Sequence, residues 1–160
     1  MTPAQIRPGS TLPPGTSPRS LPPAVAEKAL GTDAFPLWAG PKGWQTSVHN
    51  PTALDAILTG KPYPVRAMYV SGVNIAVTYP DTRKVMAALK SLDFLAVASH
   101  MMTPTSEIAD IVLPKTTGLE EEEVSLEPSA QIVCYTNPVK TPEGKARSDF
   151  DFTTDLARRL

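Results

Sequence analysis

The chain has 160 residues, with 15 Lys+Arg against 16 Asp+Glu, so it is long enough for one α/β domain and lacks the basic field that nucleic-acid binding requires. Its single cysteine, Cys134, and two well-separated histidines, His49 and His100, exclude an intrachain disulfide and leave no Cys or His set for zinc or an iron–sulfur cluster. No stretch approaches the roughly 18 apolar residues of a membrane helix, and Met1 to Pro23 lacks the cationic start and apolar run of a secretory signal.

Seven of the 18 prolines fall in the first 23 residues, where lost backbone donors and scarce apolar side chains favour an extended or disordered arm. The α/β domain is therefore expected over residues 24–160. Ala24 to Leu30 reads as a short helix ended by Gly31, and Asp33 to Val48 as a loop anchored by Trp38 and Trp44. Asn50 is the expected N-cap of a helix over Pro51 to Leu58, with Leu54, Ile57 and Leu58 on its apolar face and Gly60 as its stop. Val65 to Ser71 reads as a strand and Pro80 to Leu92 as a helix, with Val85, Met86, Leu89 and Leu92 at helical spacing. Phe94 to Ser99 is an uninterrupted apolar strand suited to burial on both faces. Strand, helix and strand make a βαβ unit and predict a three-layer αβα architecture with a short, mainly parallel sheet.

Further along, Thr103 to Ala109 predicts one helical turn capped by Thr103. Asp110 to Leu113 predicts a third strand stopped by Pro114. Val124 to Leu126 and Gln131 to Tyr135 suggest a hairpin or two edge strands. Asp149 to Leu160 predicts a final helix with Phe152, Leu156 and Leu160 on one side.

In an open α/β sheet, ligands bind beyond the carboxyl ends of the strands. The loop Ser71 to Thr78 lies there, with Gly72 allowing close backbone approach and Asn74 and Thr78 offering hydrogen bonds. Ser99, His100 and Thr103 follow the next strand at the same edge. Taken alone, these residues read first as a structural turn and a satisfied surface or core histidine, and second as a ligand site. The acid run Glu120 to Glu123 reads as a solvated edge, because neighbouring residues of a strand point to opposite faces. Met101 and Met102 read as packing residues. Cys134 reads as a buried, inert thiol.

Gly60-Lys61-Pro62-Tyr63-Pro64, Gly72-Val73-Asn74, Met102-Thr103-Pro104-Thr105, Ala109-Asp110-Ile111-Val112-Leu113-Pro114 and Glu120 stand in an order and spacing that resemble the molybdopterin oxidoreductase family of the dimethyl sulfoxide reductase type. Pro142 to Arg147 is similar to that family's lead into a helix. The resemblance runs from about Leu30 to Leu160. It implies an interior, cofactor-binding segment of a large catalytic subunit that holds one molybdopterin guanine dinucleotide, with redox chemistry supplied by metal and pterin. By the same resemblance, Gly72, Asn74 and Thr78 lie against the cofactor, and Thr103 lies near the guanine. Lys115 contacts the nucleotide. Ser99 and His100 occupy the strand end where the family usually places an aspartate, and Ile75 replaces a usual proline.

The residues that ligate molybdenum or tungsten, and those that hold an iron–sulfur cluster, lie outside the chain in this reading. The expected partners are the remaining domains of the same polypeptide and an iron–sulfur electron-transfer subunit. No nucleic acid and no membrane segment is expected, and a cytoplasmic or periplasmic prokaryotic location fits equally. The alternatives are a free-standing nucleotide-binding module without redox chemistry and a partner-binding module that uses the proline-rich arm.

Overall fold

The computed structural model describes residues 22–41, 48–127 and 132–160. The expected N-terminal arm, apart from Pro22 and Pro23, and Trp44 lie outside the described residues. The described residues divide into two compact units, one within residues 22–65 and the other over residues 66–127 and 133–160.

The first unit holds two helices, α1 (Pro23–Ala26) and α2 (Asn50–Thr59). Pro51 falls in the opening turn of α2, where its missing N–H costs nothing. The N-cap is His49 rather than Asn50, and it gives no side-chain cap bond. Instead its ring Nδ1 pairs with Thr52 Oγ1 at 2.9 Å, and the ring stacks on Phe35 with centroids 3.8 Å apart. Gly60, at φ 70°, ends α2 in the left-handed conformation that its lack of a Cβ permits. Leu54, Ala56 and Ile57 are buried, whereas Leu58 is exposed. Trp38, an expected anchor, is 69% exposed.

The second unit carries a three-stranded parallel sheet in the order β1 (Ala67–Ser71), β2 (Phe94–Ser99), β3 (Ile111–Pro114). This α/β arrangement agrees with the expected parallel sheet. The central strand β2 buries Leu95, Ala96, Val97 and Ala98, as an apolar run paired on both sides requires. Between β1 and β2 come α3 (Ile75–Thr78) and α4 (Thr82–Lys90). Helix α4 starts two residues later than its apolar pattern suggests, because Asp81, at φ 60°, accepts the Lys84 amide at 3.1 Å and acts as the cap. Val85, Ala88 and Leu89 form its buried stripe.

The helical turn expected over Thr103 to Ala109 is a single turn of 3₁₀ helix (Ser106–Ile108) before β3. Pro114 does not stop β3 but pairs with Ser99 as its last residue. Proline is tolerated there because β3 is an outer strand. β4 (Glu123–Glu127) and β5 (Ile132–Thr136) form a separate two-stranded sheet. Cys134 is exposed, contrary to the expected buried thiol. The final helix, α5 (Asp149–Arg159), has no buried residue. Leu156 is exposed on it, as is Leu160 just beyond, whereas Phe152 is half-buried with the Arg147 guanidinium over its ring.

Candidate functional site

Parallel pairing aligns Ser71 with Ala98 and Ser99 with Pro114. The three strands therefore end together, and the residues that leave that edge are Gly72, His100 and Lys115. Beyond β3 the chain pairs once more. Lys115 bridges to Arg147, with the Arg147 amide donating to Pro114 O at 3.1 Å and the Thr116 amide donating to Arg147 O at 3.1 Å. This pairing brings the start of α5 to the carboxyl edge of the sheet.

Asp149, the first residue of α5, accepts there from both Ser71 Oγ and Lys115 Nζ. The Lys115 side chain is 11% exposed and that of Asp149 44%, so the cation lies beneath and the carboxylate faces out. Gly72 has φ +71°, and a Cβ placed on it would meet only Lys115 Nζ, at 3.7 Å. Ser99 Oγ turns back to donate to Met101 O at 2.8 Å, and the Lys115 amide donates to Ser99 O at 3.2 Å. Lys115 is thus bonded to Ser99, and its ammonium lies beside Gly72. His100 is close enough to act on Asp149 through its charge.

Asn74, Thr78 and Thr103 are engaged locally. Thr105, fully buried, donates to Asn74 Oδ1 at 2.7 Å and accepts from the Ala76 amide at 3.0 Å. Thr78 Oγ1 donates to Asn74 O at 3.0 Å. Thr103 Oγ1 accepts the Ser106 amide at 3.2 Å and pairs with Ser106 Oγ at 2.9 Å. These bonds brace the loops after β1 and β2. One amide of α3 is thus taken by Thr105, and one at the start of α4 by Asp81. Met101 and Met102 are exposed on the second loop rather than packed.

In the acid run, Glu120 Oε2 accepts from the Thr117 amide at 2.9 Å, and Glu121 Oε2 from Thr116 Oγ1 at 2.6 Å. These two glutamates brace a turn and are half-buried, while Glu122 and Glu123 are exposed. With Arg147, Ser148, Phe150 and Asp151, the residues Glu120, Glu121 and Glu122 line an open cleft of about 360 Å³. Among the described residues no three His, Cys, Asp or Glu side chains converge as a metal site, and no helix is long and apolar enough to cross a membrane.

The family profile described as molybdopterin oxidoreductase matches residues 36–159. The chain belongs to the molybdopterin oxidoreductase family. It is 33% identical over 154 residues to dopamine dehydroxylase of Eggerthella lenta, covering 96% of this chain and 14% of that protein. With acetylene hydratase of Syntrophotalea acetylenica it shares 34% identity over 115 residues, 69% of this chain and 16% of the relative. The solved structure of acetylene hydratase from Pelobacter acetylenicus superimposes with a TM-score of 0.75 at 26% identity, covering 87% of this chain and 22% of that one. This molybdopterin oxidoreductase segment therefore spans less than a quarter of the length of these relatives. Membership of the family implies a molybdopterin cofactor carrying molybdenum or tungsten.

Sequence reasoning missed Asp149 as part of this edge; it placed Ser71 in the candidate loop and Thr105 in a motif, without a role for either side chain. A signal existed for Asp149: an aspartate directly after a Ser cap at a helix start invites a local reading as a dipole-stabilising residue, and that reading hides its tertiary role. Burial pushes the Asp149 carboxyl up, but the hydrogen bonds from Lys115 and Ser71, with the charges of Lys115 and His100, outweigh burial and hold it below the usual aspartate range. The folded pKa is thus below the unfolded value of about 3.9, so the stabilisation is fully present above that value and is lost as pH falls through the folded pKa. Accordingly, the melting-temperature difference between the wild-type chain and D149N is expected to be constant near neutral pH and to shrink below about pH 4. A difference that stays constant down to acid unfolding would contradict the assignment.

Proposed function

We propose that this segment holds the nucleotide end of one molybdopterin guanine dinucleotide along the carboxyl edge of β1, β2 and β3, with Gly72, Asn74, Thr78, Ser99, His100, Thr103 and Lys115 on that edge. The observation that carries this reading is the meeting of Gly72, Ser99, Lys115 and Asp149 where three parallel strands end, the place where open α/β sheets take ligands. The residues suit the group. Gly72 leaves room for close approach, Lys115 supplies an ammonium for phosphate, and Ser99 and Asp149 supply groups that hydrogen-bond a ribose or base. When bound, the metal and pterin supply the redox chemistry. This chain's residues bind and orient the nucleotide, and the remaining domains of the catalytic subunit complete the enzyme. An iron–sulfur electron-transfer partner fits the same reading.

Titrating the chain with GDP to several millimolar, while following backbone amide shifts, detects affinities near −4 kcal/mol. Saturable shifts at Gly72, Ser99, His100 and Lys115 are expected. Their absence, or shifts confined to residues away from the strand ends, would overturn the reading. The chain alone is expected to show no turnover with an artificial electron donor. Measurable reductase activity would show that it carries reacting groups of its own.

A further inference from the structure

The ligand-facing edge carries a lysine and an aspartate already joined to each other. Lys115 Nζ donates to Asp149 Oδ2 and Ser71 Oγ donates to Asp149 Oδ1, so the pair is fixed from two strands and a helix start. Its net charge is zero. The more exposed member is the carboxylate, with its side chain 44% exposed against 11% for Lys115. A phosphate approaching Lys115 therefore also meets Asp149, and the like charges repel unless something between them supplies protons to share.

We propose that the Lys115–Asp149 pair is a selectivity element that turns away bare anions and admits ligands offering hydrogen-bond donors beside their phosphate. A carboxylate accepts through two oxygens and about four lone-pair directions. Lys115 and Ser71 each use one, which leaves acceptor capacity on the exposed side. Ribose hydroxyls and the N–H groups of a purine are donors of the required kind. Inorganic pyrophosphate near neutral pH has charge to offer Lys115 and little to offer Asp149. This inference rests on the nucleotide reading above and adds to it the basis of discrimination, placed on Asp149, a residue outside the set expected from sequence.

The test compares inorganic pyrophosphate with GDP on the wild-type chain, D149N and D149E, again by amide shifts. Wild type is expected to bind GDP at least about tenfold more tightly than pyrophosphate, a difference of roughly 1.4 kcal/mol. D149N removes the repelling charge and the strongest acceptor together. It is expected to raise pyrophosphate affinity severalfold, lower GDP affinity and close the gap. D149E keeps the charge and is expected to keep the preference. Melting curves check folding, and D149S, which also removes the carboxylate, provides the same reading if D149N does not melt cooperatively. If wild type binds no GDP, the functional reading fails and the selectivity fails with it. If wild type binds GDP but the ratio of the two affinities is the same in the variant lacking the carboxylate, the selectivity role alone is overturned.

Discussion

Leu95→Ala is expected to lower the unfolding free energy of the chain by about 2–5 kcal/mol, the largest loss of any single side chain in the sheet. Leu95 is 1% exposed and sits in β2, the strand paired on both sides. The cost of such a truncation depends on whether the surroundings can collapse into the space. Here they are poorly placed to do so. The Leu95 amide donates to Asp110 Oδ2 at 2.7 Å and its carbonyl accepts from the Asp110 amide at 2.9 Å, so the backbone is pinned beside the cavity. Ile111→Ala, at an exposed position of the outer strand β3, is the control, and its expected loss is below about 1 kcal/mol. Urea unfolding followed by circular dichroism measures both. Equal losses in the two variants would mean that β2 is not the centre of the core.

What could be read from the sequence follows from the range of the interactions involved. The apolar run of β2, the stop at Gly60 and the stripe Val85 with Leu89 are local patterns, and the structure places each where its periodicity implies. The linked motifs from Gly60 to Glu120 carried the family, because several spaced motifs in order are far more specific than a glycine loop alone. Asp149 is different in kind. Its partners Ser71 and Lys115 lie 78 and 34 residues away, and no periodicity encodes a meeting of that range. The exposure of α5 was not legible for a related reason. Phe152, Leu156 and Leu160 have helical spacing, but spacing gives a face and not a partner for it. At Asp81 a rare backbone conformation decided the helix start, and left-handed aspartate is uncommon enough that proline at the preceding position looked the better signal.

Thr105→Val is the sharpest test of how the loop after β1 is held. Valine matches threonine in shape, so the change removes a hydroxyl and little volume. That hydroxyl is fully buried and serves two partners, donating to Asn74 Oδ1 and accepting from the Ala76 amide. Both lose their bond at once. A buried polar group left unpaired costs about 1–3 kcal/mol. Ala76 is buried and its amide bears most of that cost, whereas the half-buried Asn74 can recover part from water. The expected total is about 2–3 kcal/mol. Thr105→Ser keeps the hydroxyl and loses a methyl group, so its expected loss is nearer 1 kcal/mol. Because Asn74 follows Gly72 by two residues, the same substitution is expected to broaden or shift the Gly72 amide resonance and to weaken GDP binding where the Ser variant does not. A double-mutant cycle with Asn74→Ala isolates the pairwise part, with a coupling of at least about 0.5 kcal/mol expected for groups in one hydrogen-bond network. Additive losses would show that Thr105 stabilises the core without positioning the loop, and the link from the second strand's loop to the ligand edge would have to be sought in other residues.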